Sequence, residues 1–426
     1  MTDVTTAPSP TAAPRHPDSH PADPSPAPSR LRAVLASDWV GTLLVVFAWH
    51  AVLIAVAVLF QGSMPVGEGY PVKILGADPS LLSHTFRWDS ENYLNITHGA
   101  YNDPATPWTP AFYPFFPFCL WLVQTVTFGK VGFLAAGMFV NFVASWLAAW
   151  ALLRIARHFV AGEQAAWLVV AAFLTAPTAF FMHAFYTEAV FCALGFWAYS
   201  FALRRQWVLM GLVLMPLTAT RITAVLFIGL CFLEFWRAKD WRLRGLLSWH
   251  LLWFPAAFAG FAAYAVLLKI MTGDALGMFH AYDTVKTWAY HVANPNFVGT
   301  FGKEVSISWD ALLTGKPNTW QLLSHLLPVV GLVVLFASSV YTFVALRKDG
   351  IPLALFGLAS FVMFTFNSNV VSVHRYLLPC VVIYVAMVLA SQRHRPLRPA
   401  LQIWMYATTL VQAAIYLLFV AGNWAG

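Results

Sequence analysis

Long apolar runs separated by short polar segments make up the chain from residue 39 onward. The first run covers about Trp39–Phe60, which at about 1.5 Å of rise per residue is long enough to cross about 30 Å of hydrocarbon. Similar runs predict further spans at about 131–153, 165–183, 186–203, 249–270, 322–346, 351–366, 376–391 and 401–421. The pattern therefore predicts an all-α polytopic membrane protein with about nine full spans.

Two apolar runs do not fit a simple crossing. Residues 110–128 contain three prolines, which interrupt helical hydrogen bonding, so we expect a re-entrant or interfacial segment there. Residues 207–236 have basic residues at both ends and, at about 30 residues, are too short for two crossings. We expect two short helices that turn back at Thr218–Thr220 and leave Arg221 inside the membrane zone, as a re-entrant helix pair.

The basic residues predict the orientation. Arg30 and Arg32 precede the first span, which favours a cytoplasmic N-terminus. Residues 1–33 are rich in Pro, Ala, Ser and Thr, which is typical of a disordered tail, and residues 34–426 form the expected membrane domain. The loops at about 61–130 and 272–320 then lie outside. We expect a multi-pass plasma-membrane protein with its site on the extracytoplasmic side.

Composition agrees with this class. Of the 426 residues, 59% are hydrophobic and 10% are charged, whereas about 25% charged residues are usual in soluble proteins. The basic residues cluster between apolar runs, where they orient spans in a lipid bilayer, so no nucleic-acid partner is expected. The four cysteines lie in apolar runs without the spacing of a metal site or a disulfide framework.

Candidate chemistry begins in the first outside loop, with the segment HTFRWDSENYLNITHGAY at residues 84–101. It places Arg87, Asp89 and Glu91 together in a chain that has few charges. A carboxylate within hydrogen-bond reach can remove the proton of a hydroxyl acceptor, which makes Asp89 a candidate general base. Asp89 also stands where a short helix over 89–98 would take its N-cap, so both roles remain open.

Charged residues near the outer ends of other spans form the remaining candidates, because charge at membrane depth is costly. Glu188 has a structural alternative as the partner of Arg221 or Arg87, and Arg375 has one as a snorkelling side chain. A leaving phosphate is already charged, so Arg375 or Arg221 would suit it better than an acid. Trp88 and Tyr93 are further candidates, with a place in the interfacial aromatic belt as their structural alternative. His98 and His374 could instead be hydrogen-bonded structural residues, and the second outside loop adds His280 as a candidate.

Several segments, taken in order, resemble the GPI mannosyltransferase II (PIG-V-like) family of GT-C membrane glycosyltransferases. FRWDSENYLNITHGAY followed by AFYPFFPFCLWLV is similar to the family's opening motifs. FYTEAVF, ATRITAVL and HRYLLP resemble its later ones, so that the likeness extends over about residues 39–391. Asn92 and Ala224 depart from the family pattern. These departures affect the expected identity of the acceptor more than the expected class of reaction.

The resemblance implies a GT-C transmembrane helix bundle of a bacterial member, with an inverting mannosyltransferase activity. The donor would be a polyprenyl-phosphate sugar, with mannose as the expected hexose, and the acceptor an envelope glycolipid or glycan. No metal and no other cofactor is expected. Asp89 would be the base, and the substrate-binding residues would be Arg87, Trp88, Glu91, Tyr93, Glu188, Arg221, His280, His374 and Arg375.

Two other functions fit parts of the pattern. A flippase or transporter of lipid-linked saccharides would also need buried arginines, but it would place charges along a path to both faces, and no repeated halves are evident in the sequence. A protein O-mannosyltransferase would need a peptide groove, for which the first loop is short. A liposome translocation assay and acceptor screening would separate these functions from the expected one.

Overall fold

A computed structural model describes residues 37–60, 62–63, 65–69, 81–284, 294–315 and 318–426. Within these ranges the protein is helical and contains no β-strand, so the predicted all-α class is confirmed. The predicted tail at 1–33 lies outside the described residues. Residues 42–426 form one compact unit, and of residues 1–41 only the start of the first helix is described. The helices of eight or more residues are Asp38–Phe60, Ser90–Thr97, Phe115–Val126, Phe133–Phe159, Glu163–Leu174, Glu188–Leu203, Trp207–Thr218, Ala224–Arg237, Ala259–Thr272, Phe297–Leu313, Leu327–Leu346, Ile351–Thr365, Val381–Arg393 and Leu397–Val420.

In the described part of the chain, five helical segments are long and apolar enough to cross a membrane: Asp38–Phe60, Phe133–Phe159, Trp249–Thr272, Thr319–Thr365 and Leu397–Val420. The fourth of these contains two long helices, Leu327–Leu346 and Ile351–Thr365, separated by a short helical turn at Arg347–Gly350. Other apolar helices are shorter, at 10–17 residues. The membrane class therefore stands, while the predicted nine full crossings remain a prediction.

The two irregular runs form short helices, while their re-entrant or interfacial placement remains a prediction. Trp207–Thr218 and Ala224–Arg237 are separate helices of 12 and 14 residues. At about 1.5 Å per residue, each reaches only about 20 Å. The chain turns between them, and Arg221 lies in that turn. The proline-containing run at 110–128 forms one helix of 12 residues, Phe115–Val126, which is likewise too short to cross.

Two predicted spans are wrong in their helical extent. The helix expected at 165–183 ends at Leu174, and the one expected at 376–391 begins only at Val381. Pro177 and Pro379 explain both differences, because proline has no N–H to donate and disfavours the helical conformation of the residue before it. Residues 175–183 and 376–380 therefore lie outside these two helices.

Residues 178–187 are buried although only one short helical turn, Ala179–Met182, interrupts their irregular backbone. Buried main-chain groups need hydrogen-bond partners, and polar side chains from neighbouring helices supply them. The Asn141 amide donates to the carbonyls of Ala184 and Tyr186, and the Ser145 hydroxyl donates to that of Met182. These contacts hold the segment that leads into Glu188.

Replacing Asn141 with alanine should therefore destabilise the protein. Loss of its amide leaves two buried carbonyls without this donor, at a cost of about 1–3 kcal/mol. Thermal unfolding of the purified protein in detergent should show a lower midpoint for Asn141→Ala. Asn102 is exposed, so Asn102→Ala serves as the control and should unfold like the wild type. Equal midpoints for the two variants would contradict the proposed support of residues 178–187.

Candidate active site

Four segments that are far apart in sequence meet around one buried carboxylate, that of Glu188. Glu188 begins helix Glu188–Leu203, and its side chain is 1% exposed. Its Oε1 atom lies 2.5 Å from Nη2 of Arg221 and 2.9 Å from Nη2 of Arg375. The Nε of Arg375 donates to the same oxygen at 3.0 Å. One carboxylate thus joins the turn at Arg221 to the segment at Arg375.

Asp89 lies at the outer end of this network. Its Oδ2 atom accepts a hydrogen bond from Nη1 of Arg375 at 2.9 Å. The Asp89 side chain is 32% exposed, whereas that of Arg375 is only 4% exposed. Asp89 is therefore the member of the network that a substrate can reach most directly.

The capping alternative for Asp89 does not describe its side chain. Asp89 precedes helix Ser90–Thr97 at the N-cap position, but its carboxylate makes no capping hydrogen bond. The hydroxyl of Ser90 instead accepts from the main-chain N–H of Arg87 at 3.1 Å. The Asp89 carboxylate is consequently available to Arg375 and to the space in front of it.

The network is balanced in charge: Asp89 and Glu188 carry two negative charges, and Arg221 and Arg375 carry two positive ones. Such balance is needed because an unpaired ion in a buried, apolar site is strongly unfavourable. The positive charge of each arginine is therefore already paired with a carboxylate. If either arginine binds a substrate phosphate, as the sequence predicts, it would do so while it also contacts Glu188.

Aromatic side chains enclose the two guanidinium groups. Arg375 lies over the rings of Phe181 and Tyr186, with its Cζ atom 4.9 and 4.7 Å from the ring centroids. Arg221 lies 5.4 Å from the Tyr376 ring centroid. Rings in this position attract cations through their quadrupole and exclude water, which strengthens the ion pairs.

Hydroxyl groups connect this network to the first loop. The Nε of Arg221 donates to the Thr187 hydroxyl at 2.8 Å, and that hydroxyl lies 3.4 Å from the Tyr93 hydroxyl. The Tyr186 hydroxyl donates to the Arg87 carbonyl at 3.2 Å. Burial raises the pKa of Tyr93 above its usual range, so this phenol stays protonated as a hydrogen-bonding group.

Arg87, Trp88 and His374 lie in the same region but contact main-chain carbonyls. The Arg87 guanidinium donates to the carbonyls of Ser83, Phe86 and Val420. Burial lowers the pKa of His374 to about 4, and the nearby positive charge of Arg375 also lowers it. A hydrogen bond to the main-chain carbonyl of Ala425 acts in the opposite direction and raises it. His374 is therefore a neutral donor to that carbonyl near pH 7.

Two predicted site residues lie outside this network. Glu91 is exposed and has no ion pair among the residues that the structure describes. His280 pairs with Asp274 at 2.7 Å, and both side chains are exposed. The hydrogen bond from His280 is the main reason why the pKa of the Asp274 carboxyl is lowered. Neither side chain forms a hydrogen bond or an ion pair with Asp89 in the described part of the chain.

Sequence reasoning missed Thr187, Tyr186 and the segment that follows helix Leu397–Val420. Thr187 and Tyr186 adjoin Glu188 in the motif FYTEAVF, so that motif was the available signal. Over the described ranges, no group of three or more His, Cys, Asp or Glu side chains has the arrangement of a metal site. The cysteines carry no disulfide there.

Comparison with known proteins finds similarity to solved structures only. No family model and no curated protein matches the chain. Among solved structures, it is similar to the crystal structure of ArnT from Cupriavidus metallidurans bound to undecaprenyl phosphate. The sequence identity is 14% and the TM-score is 0.49, over 88% of this chain and 69% of that one.

Two glutamates that each begin a helix and pair with arginine provide a test of the network. Glu188→Gln should destabilise the protein by about 3–5 kcal/mol, because it leaves two buried arginines without their shared counter-charge. Glu163 pairs with Arg157, and its side chain is 57% exposed, so Glu163→Gln should cost no more than about 1 kcal/mol. Chemical unfolding of both variants in detergent measures the difference. A loss for Glu188→Gln as small as that for Glu163→Gln would contradict the network as described.

Proposed function

We propose that this protein is an inverting membrane glycosyltransferase of the GT-C class. It transfers a hexose, with mannose as the expected sugar, from a polyprenyl-phosphate donor to an envelope glycolipid or glycan on the extracytoplasmic face of the plasma membrane. The observation that carries this proposal is the partly exposed Asp89 carboxylate, which Arg375 holds at 2.9 Å. Arg375 in turn belongs to a buried network in which Asp89 and Glu188 balance the charges of two arginines.

In the proposed step, a hydroxyl oxygen of the acceptor attacks the anomeric carbon of the donor. The bond between that carbon and the phosphate oxygen breaks, and a bond to the acceptor oxygen forms. Asp89 receives the proton of the acceptor hydroxyl as general base. A single displacement of this kind with one carboxylate inverts the configuration at the anomeric carbon.

Charge changes in this step favour the arrangement around Arg375. The donor phosphodiester carries one negative charge, and the departing polyprenyl phosphate gains a second. Protonation of Asp89 simultaneously changes the network from neutral to a net positive charge. The arginines would thus stabilise the phosphate most when its charge develops, as catalysis requires. A phosphate leaving group of this kind needs no proton from an acid, and the proposed step uses no metal.

The other candidate residues take supporting roles in this proposal. Arg221, whose side chain is 12% exposed, can approach the donor phosphate while it keeps its bond to Glu188. Arg87, Trp88, Tyr93 and His374 shape the site around Asp89 through the contacts described above. Glu91 and His280 are exposed, and we propose that they contact the acceptor at the mouth of the site.

Asp89→Asn tests the general-base role. The amide keeps the shape of the side chain but cannot accept the proton, so the transfer rate should fall by about 10²–10⁴-fold. The assay uses the purified protein, radiolabelled polyprenyl-phosphate mannose and a bacterial lipid extract as the source of acceptor. Asp310 is an exposed residue of helix Phe297–Leu313, and Asp310→Asn removes the same charge and should transfer at the wild-type rate.

Near-wild-type transfer by correctly folded Asp89→Asn would refute the mechanism. Movement of the labelled lipid across a liposome bilayer without any transfer product would refute the enzyme class and favour a flippase. Transfer to added peptide and not to lipid or glycan would indicate a protein O-mannosyltransferase.

A further inference from the structure

The last helix ends at Val420, and residues 421–426 run from there into the candidate site. Val420 and several of these six residues contact side chains of the site. Helix Leu397–Val420 ends in a Schellman-type turn, in which Gly422 N–H donates to the Phe419 carbonyl and Asn423 N–H to the Leu418 carbonyl, each at 2.9 Å. Gly422 has φ of +80°, a left-handed conformation that glycine adopts without a steric penalty. The motif AGNWAG therefore ends the helix and redirects the chain.

Main-chain oxygens of this segment bind side chains of the site. The Val420 carbonyl accepts from Nε of Arg87 at 2.9 Å, and the Asn423 carbonyl accepts from the Trp88 indole at 3.1 Å. The Ala425 carbonyl lies 2.9 Å from Nε2 of His374, and the Gly426 oxygen accepts from Nη1 of Arg375 at 2.8 Å. Every one of these side chains belongs to the motifs RWD and HR, which flank Asp89 in sequence or in space.

We infer that residues 421–426 position the general base Asp89 for the reaction proposed above, on which this inference rests. Two of their contacts restrain the Asp89 carboxylate, one through Arg375 and the other through Trp88. Arg375 Nη1 binds the Gly426 oxygen and the Asp89 carboxylate together. Trp88, which precedes Asp89, has φ of +49° and is fixed through its indole by Asn423.

The conformation of Trp88 supports this positioning role. A residue with a Cβ atom is disfavoured in the left-handed region, so neighbouring contacts must hold it there. The indole hydrogen bond to Asn423 is one such contact, and close packing of Gly69 against the indole ring is another. A Cβ atom added at Gly69 would lie 2.3 Å from the ring. Release of Trp88 would let the backbone relax and turn the Asp89 carboxylate away from Arg375.

The segment itself is anchored independently of the site residues. Gly67 N–H donates to the Ala421 carbonyl at 2.8 Å, and Gly69 N–H donates to the Gly422 carbonyl at 2.9 Å. The Asn423 amide donates to the Pro65 carbonyl at 3.0 Å, and the Trp424 and Trp320 rings lie 4.6 Å apart. A segment anchored in this way can hold Arg375 and Trp88 in place.

Two substitutions weaken the two contacts separately. A Cβ atom at Gly426 would lie 2.7 Å from Nε2 of His374 and 2.8 Å from Cδ of Arg375, so Gly426→Ala must displace these side chains. Trp88→Phe keeps an aromatic ring but removes the donor to Asn423. A matched control is Gly302→Ala in helix Phe297–Leu313, where an added Cβ atom meets nothing within 4 Å.

The experiment uses the full chain in lipid nanodiscs with radiolabelled polyprenyl-phosphate mannose and a bacterial lipid extract. It measures how many donor molecules bind per protein and how fast each bound donor is turned over. At saturating donor concentration, Gly426→Ala and Trp88→Phe should bind as many donor molecules per protein as the wild type. They should turn each bound donor over at least about tenfold more slowly, because small misplacement of a catalytic group is costly. Gly302→Ala should match the wild type in both measurements.

If the segment only stabilises the fold, the two measurements should change in the opposite way: fewer protein molecules should bind donor, and each bound donor should be turned over at the wild-type rate. That result would overturn the inference, and so would faster turnover, which would mean that the segment obstructs the site. The proposed function fails separately, if the wild type shows no transfer or if Asp89→Asn remains active. An active wild type and inactive Asp89→Asn, together with wild-type turnover in both segment variants, would refute the positioning role alone.

Discussion

The site depends on one carboxylate shared by two arginines. The Glu188 side chain is 1% exposed, and those of Arg221 and Arg375 are only 12% and 4% exposed, so loss of its charge would leave two largely buried cations poorly compensated. One of its oxygens, Oε1, fixes the start of one helix, the turn between helices Trp207–Thr218 and Ala224–Arg237, and the segment at residues 373–376 relative to one another. The second positive charge is balanced by Asp89, so the electrostatics of the interior also determine where the proposed base lies.

The same arrangement explains why the fold is irregular at this place. The network residues stand at helix starts and turns: Glu188 begins a helix, Arg221 lies between two short helices, and Arg375 precedes the break at Pro379. At membrane depth such breaks are stable only where protein surrounds the backbone and supplies hydrogen bonds. Asn141 and Ser145 supply them to the segment before Glu188. Helix ends therefore provide directed polar groups that an unbroken apolar helix lacks.

Much of the fold follows from the sequence because hydrophobic length and proline positions are local properties. They predict the first helix, the two short helices on either side of Arg221 and the short helix after Asp89, whereas Pro177 and Pro379 shorten two helices below the length that the apolar pattern predicts. Site membership was also predictable in part, since Asp89, Glu188, Arg221 and Arg375 are conspicuous charges in an apolar chain. The sharing of Glu188 between both arginines depends on tertiary packing. The contacts of residues 420–426 use main-chain oxygens, which have no signature in the sequence apart from Gly422.

The proposed role of Asp89 can be tested most directly by a cryo-electron microscopy structure of the protein with a non-transferable analogue of polyprenyl-phosphate mannose. If Asp89 is the general base, its carboxylate should face the anomeric carbon from the side opposite the phosphate, with room for an acceptor oxygen within about 3 Å of the carboxylate. The phosphate should lie beside Arg221 or Arg375 while both remain paired with Glu188. A sugar bound elsewhere, or a phosphate lying on the same side of the anomeric carbon as Asp89, would show that Asp89 is not the base.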